Sequence, residues 1–149
     1  MRLALYQPDQ AGNVGTILRL AACLGVAVDI VEPCGFPFGD RALKRSAMDY
    51  GDLARVTRHD DWEAFEAARA GRLVLLTTSG DVRIDSVRFA PTDVLLLGSE
   101  SRGVPSPVHR RADLRVRIPQ VPGTRSLNIA VAAGIALAEG LRQTEGWPE

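Results

Sequence analysis

Glu100 and Arg102 stand between two glycines in GSESRGVP (98–105), directly after the apolar run VLLL (94–97). Gly98 and Gly103 have the separation of the two glycines in a phosphate-cradling P-loop, so polyphosphate binding is the first chemistry the stretch suggests. The flanking residues rule it out. A P-loop needs Lys and then Ser or Thr after its second glycine, one to reach the β- and γ-phosphates and one to hold magnesium. Here Val104 and Pro105 follow. Proline has no N–H to donate, and Glu100 would repel a polyphosphate. The dinucleotide fingerprint GxGxxG is absent from the sequence as well.

What remains is an acid, an arginine and permissive backbone at a strand tip, the place where open α/β sheets bind ligands. TTSG (77–80) and IPQVPGTRSLN (118–128) follow two other apolar runs in the same way. Each loop alone reads first as an ordinary turn. Together, three such loops could enclose one small ligand with main-chain N–H and C=O groups, which is how a site reads an adenine edge with few charged side chains.

The elements that must position these loops alternate between strand and helix patterns. RLALY (2–6), VAVDIV (26–31), ARVTR (54–58), RLVLLTT (72–78), DVLLLG (93–98) and LRVRIP (114–119) read as strands. The continuous apolar runs suit strands buried on both faces of a parallel sheet. Asn13 reads as the N-cap of a helix over NVGTILRLAACLG, with Val14, Ile17, Leu18 and Ala21 on one face and Gly25 as its stop. DRALKRSAMDY (40–50) is a short basic helix candidate after the loop EPCGFPFGD (32–40), and DDWEAFEAARAG (60–71) has acidic residues at its start and Gly at its end. The last helix reads from Leu127 to Arg142, and IAVAAGIALA (129–138) within it is apolar on every side. Such a helix must be covered all round, which points to the sheet on one face and a second copy of the chain on the other, the alternative being a helix sandwiched within the monomer. The expectation is an α/β fold with a mostly parallel sheet of five or six strands flanked by helices, in a single domain over 1–149.

Composition excludes several classes. Lys+Arg and Asp+Glu are both 18, so bulk positive charge does not drive nucleic-acid binding, although local basic patches can. Cys23 and Cys34 have no spacing for a zinc site or a redox pair; Cys23 falls in the apolar helix pattern and is expected to be buried. The N-terminal run is too short for a signal peptide, and the longest apolar run is about half a membrane span. A cytoplasmic protein is the expectation.

Four stretches in order, NVGTILR (13–19), EPCGFPFGDRALKRSAMDY (32–50), GSESRGVP (98–105) and RIPQVPGTRSLN (117–128), resemble the SPOUT superfamily of S-adenosylmethionine-dependent RNA methyltransferases. The likeness is greatest to its minimal, TrmL-like group, which methylates the ribose 2′-hydroxyl at the tRNA wobble position. It extends over nearly the whole chain. The resemblance implies a C-terminal trefoil knot, a homodimer, S-adenosylmethionine as cofactor, and the anticodon region of tRNA as substrate, with cytidine or a modified uridine methylated at nucleotide 34. Action on another tRNA position or on rRNA is the alternative within the family; a non-catalytic RNA- or nucleotide-binding dimer is the alternative outside it. Residues often found in the family as Ser and as an aromatic are here Ala130 and Ala138, and the segment from Gly103 to Arg117 is slightly short.

By the same resemblance, Leu76, Gly98 and Ile118 match backbone contacts to the cofactor, with Thr77, Gly103 and Ser126 in the same loops. Asn13, Arg19, Glu100, Ser126 and Asn128 match the motif positions closest to the chemistry. Displacement at a sulfonium methyl by a ribose hydroxyl demands mainly alignment and management of one proton, and no metal. A guanidinium releases its proton only above pH ~12, so Arg19 is read as positioning ribose and phosphate, a role as base requiring a strong shift imposed by cofactor and site. Asn13 can serve as cap, as substrate contact, or as both; Glu100 either orders its loop or touches RNA; Ser126 and Asn128 combine capping with cofactor-side bonds. Arg41, Lys44, Arg45, Arg110, Arg111, Arg115 and Arg125 form two basic groups flanking the motifs and are candidate phosphate contacts.

Overall fold

Leu3 and Leu5 point to one face of β1 (Arg2–Tyr6) while Ala4 and Tyr6 point to the other, and all four are buried. The computed structural model describes residues 1–38, 41–51 and 54–149; Gly39 and Asp40, where the expected 32–40 loop would join the basic helix, lie outside the described residues. The doubly buried pattern recurs in β2 (Ala27–Val31), β4 (Leu73–Leu76) and β6 (Val94–Leu97). With β3 (Val56–His59), β5 (Val82–Arg83) and β7 (Leu114–Arg117) they form one sheet in the order β3-β2-β1-β6-β4-β7-β5. Every pairing is parallel. The sheet has seven strands rather than five or six, because β5 is only two residues long and carries no readable periodicity.

Helices cover both faces. α1 (Ala11–Cys23), α2 (Arg41–Ala47) and α5 (Ile129–Gln143) pack Val14, Ile17, Leu43, Ala133 and Leu137 against Leu3, Leu5, Ile30 and Leu97. On the other face, Phe65 of α3 (Trp62–Ala68) and Val108 of α4 (Ser106–Arg111) meet Ala4, Leu75 and Leu96. α3 starts where its acidic signal lies: the Asp61 carboxylate accepts from the Ala64 N–H at 2.8 Å. α4 is unread in the sequence, where Pro107 inside SPVHRR hides a single helical turn.

Three expectations are corrected. α1 starts at Ala11, with Gln10 at its N-cap, so Asn13 is not the cap and its amide is left for other partners. Cys23 is exposed: it lies two residues beyond buried Ala21, about 200° round the helix and away from the core. α5 begins at Ile129 rather than Leu127, capped by Asn128.

The two ends of the strands are used differently. At the N-terminal end, buried Asp93 is bonded by Arg72 at 3.0 and 2.8 Å, tying the entry of β6 to that of β4. At the C-terminal end β7 lies between β4 and β5 in the sheet. The connection from β4 to β5 passes over β7, and a Cβ on Gly80 would lie 2.6 Å from the Val116 carbonyl carbon and the Arg117 nitrogen. Only glycine permits two backbones to approach so closely.

Candidate active site

Ending β4, β6 and β7 beside one another brings the loops 77–80, 98–104 and 118–128 around one cavity of about 450 Å³. The start of α1 and the first turn of α5 complete its wall. Leu76, Thr77, Gly98, Gly103, Ile118 and Ser126 all line it, and so do Asn13, Glu100 and Asn128. Gln10, Thr78, Ser99, Gln120, Leu127, Ile129 and Ala132 line it too. Thr78, Ser99, Gln120 and Leu127 lie inside loops already read as one pocket, so the signal for them was position; Gln10, Ile129 and Ala132 gave none.

The 98–103 loop closes on itself. Ser99 N–H donates to the Gly103 carbonyl at 3.0 Å and Gly103 N–H to the Ser99 carbonyl at 2.8 Å. A Cβ on Gly98 would sit 2.6, 2.7 and 2.9 Å from the carbonyl carbon, Cα and oxygen of Gly103. Glycine at 98 is therefore a requirement of the closed loop.

A chain of side-chain bonds runs along the rim. Asn128 caps α5, its Oδ1 accepting from Ala130 N–H at 2.8 Å, while its amide donates to Asn13 Oδ1 at 2.9 Å. The Asn13 amide donates in turn to Gln10 Oε1 at 3.1 Å and Glu100 Oε1 at 3.3 Å. Displaced from the cap, Asn13 joins NVGTILR (13–19) to GSESRGVP (98–105) and RIPQVPGTRSLN (117–128). Glu100 is the one ionisable side chain among the described lining residues. Burial, and then the neighbouring Asp9 carboxyl, push its pKa up from the ordinary carboxyl value.

Arg19 lies outside the cavity. Its guanidinium contacts Met48 Sδ at 3.1 Å and stands 5.5 Å from the Tyr50 ring centroid. The candidate phosphate contacts divide. Arg111 pairs with Glu66 at 2.6 Å and Arg115 with Asp81 at 3.2 Å, whereas Arg41, Lys44, Arg45, Arg110 and Arg125 are exposed with no salt bridge among the described residues.

Residues 1–138 match the SpoU rRNA methylase family. A tRNA (cytidine(34)-2′-O)-methyltransferase of Ancylobacter novellus is 51% identical over 150 residues, spanning 99% of this chain and 95% of that protein. The chain belongs to the SpoU rRNA methylase family. Two solved structures align over almost all of it. One, concerned with 2-OH methylation of C/U34 on tRNA, has a TM-score of 0.92 at 38% identity, covering 95% of this chain and 94% of that one. The other, an rRNA methyltransferase from Sinorhizobium meliloti with AdoMet bound, has a TM-score of 0.85 at 31% identity, covering 95% of this chain and 55% of that one.

Proposed function

We infer that this SpoU chain transfers a methyl group from S-adenosylmethionine to the ribose 2′-hydroxyl of wobble nucleotide 34 of tRNA, on cytidine or a modified uridine. The observation that carries the reading is the cavity itself. It lies at the strand tips between the loops 77–80, 98–104 and 118–128, and the one ionisable group among its described lining residues is a carboxyl. That lining suits a cationic, adenine-bearing molecule, and the described residues in it offer no cation to a polyphosphate.

The residues fit the cofactor. Leu75, Leu97, Val116 and Ile118 supply apolar wall, and the backbone of Leu76, Thr77, Gly98 and Ile118 supplies donors and acceptors beside it. Thr77, Gly103 and Ser126 complete the loops that would hold it. When bound, S-adenosylmethionine supplies a methyl group activated by a sulfonium leaving group. The chain's own part is then alignment: Asn13 and Asn128 hold NVGTILR and the 118–128 loop together at the rim, and Glu100 fixes the 98–103 loop to them.

Arg19 is read as positioning the ribose and its phosphate. Since it stands outside its own cavity, it acts where RNA crosses the surface formed by α1 and residues 48–50. Arg41, Lys44 and Arg45 of α2 extend that surface; with no acidic partner among the described residues to displace, these three, with Arg110 and Arg125, are the phosphate contacts for the anticodon region. Arg111 and Arg115 are occupied by Glu66 and Asp81 and contribute less.

Val121 and Leu127 of the 118–128 loop and Val131 and Ile135 of α5 are exposed apolar residues, with Val131 at 50% and Ile135 at 39%. We assign them to a homodimer face that would also cover the loop closing the cavity. The crossing of the 77–81 connection over β7 supports the trefoil knot implied by the family, within one domain spanning 1–149. No helix among the described residues is long and apolar enough to cross a membrane, and a tRNA-modifying enzyme is placed in the cytoplasm with its substrate. Calorimetric titration with S-adenosylmethionine tests the assignment: saturable one-site binding per protomer is expected, and absence of binding overturns it.

A further inference from the structure

The segment entering α1 and the 98–103 loop are joined by contacts that the transfer reaction does not itself call for. Asp9 N–H donates to Glu100 Oε2 at 3.0 Å. Ser101 donates to Asp9 Oδ2 through its N–H at 3.3 Å and also through its hydroxyl. Asp9 Oδ1 is buried beside the Glu100 carboxyl with no hydrogen-bond partner among the described residues. A proton on Glu100 would give that oxygen the donor it lacks. Held by Glu100, that proton serves Asp9, leaves the pair with one negative charge, and keeps Glu100 Oε1 free to accept from Asn13.

We propose that Asp9 is a positioning residue for methyl transfer: with Glu100 it forms a proton-sharing carboxyl pair that clamps the 98–103 loop to the entry of α1 and thereby shapes the cofactor cavity. The inference rests on the reading of that cavity as the S-adenosylmethionine site. Through Glu100, Asn13 and Asn128 the clamp reaches the N-cap of α5, so one pair sets the relation of the 98–103 loop, the start of α1 and the start of α5.

Among the described residues, few other ionisable groups face the pair. Cys34 of the 32–38 segment senses Glu100, its own thiol pushed up to about 11 chiefly by burial, with Glu32 and Arg58 beyond it. Arg102 in the same loop is exposed and acts on Tyr6. No arginine or lysine neutralises either carboxyl among the described residues. Burial and Asp9 raise the pKa of Glu100, while the bonds from Glu100 and Ser101 lower that of Asp9. The clamped state thus binds more protons than an open loop once pH exceeds the ordinary Glu value of 4.5, and the clamp is lost as pH rises through the raised pKa of Glu100.

The test is calorimetric binding of S-adenosylmethionine from pH 5 to 8 by the wild type, Asp9→Asn, Glu100→Gln and Glu100→Ala, with melting temperatures alongside. Asp9→Asn is expected to stay folded and to bind about tenfold more weakly, the order set by losing a charge-assisted hydrogen bond. Wild-type affinity should fall as pH rises. Glu100→Gln, whose amide donates at any pH, should bind more tightly than Glu100→Ala and lose that fall. Wild-type affinity in Asp9→Asn, or the same pH course in the wild type and Glu100→Gln, overturns the clamp alone. If Asp9→Asn unfolds, the comparison of pH courses still decides. A wild type that binds no S-adenosylmethionine at any pH removes the cofactor reading and the clamp with it.

Discussion

Adding one methyl group to Gly98 should disable the cavity while leaving the sheet in place. In Gly98→Ala the new Cβ would have to sit 2.6–2.9 Å from three backbone atoms of Gly103, none of which can rotate away. Relief requires the two ends of the 98–103 loop to part, breaking the paired Ser99–Gly103 hydrogen bonds of 3.0 and 2.8 Å. Two backbone bonds are worth about 1 kcal/mol each, and an overpacked methyl that is not fully relieved costs ~1–3 kcal/mol. Because loop opening relieves part of the overpacking, the net penalty is about 2–4 kcal/mol. At about 3 °C per kcal/mol for a chain of this size, the melting temperature should drop by roughly 6–12 °C if the loop opens only with the whole fold. If the loop opens locally, the same energy appears as a loss of S-adenosylmethionine affinity of at least about thirtyfold. Scanning calorimetry and titration of the same variant read both outlets. A Gly98→Ala protein with wild-type melting and wild-type affinity would refute the closed-loop account.

The other predictions separate cofactor, RNA and dimer surfaces. Arg19→Ala should lower the turnover of tRNA methylation by about a hundredfold, the order of a lost alignment contact, with S-adenosylmethionine affinity retained; undiminished single-turnover rates would remove Arg19 from the reaction. Replacing Arg41, Lys44 and Arg45 together by Ala should weaken tRNA binding and reduce the salt slope of log K by about 2–3, measured by filter binding across salt concentrations; an unchanged slope would take α2 out of the RNA interface. Val131→Asp should place a charge in the exposed apolar face of α5 and convert a dimer to monomers in sedimentation velocity; a dimer that survives it assembles elsewhere.

Much of the scaffold was legible because its signals are local. Doubly buried strands such as β4 and β6 declare themselves as unbroken apolar runs, and α3 announces its start with Asp61. β5 and α4 did not, being too short to show a period. Asn13 was misread for a physical reason: an asparagine before an apolar stripe fits an N-cap, and only the fold reveals that its amide is taken by Glu100 and Gln10. The loops around the cavity were legible as strand tips. The pairing of Arg111 with Glu66 and of Arg115 with Asp81 was not, since each partner lies more than thirty residues away in sequence. Asp9 escaped notice because its meaning depends on Glu100 and Ser101, which the fold brings to it from the far side of the chain.

The most direct measurement is nucleotide-resolved mapping of 2′-O-methylation on total unmodified tRNA incubated with S-adenosylmethionine, with and without the protein. A protein-dependent methyl group on the ribose of nucleotide 34, in tRNAs carrying cytidine or a modified uridine there, is the result the account predicts. Methylation confined to another tRNA position, or to rRNA offered in the same reaction, would contradict it.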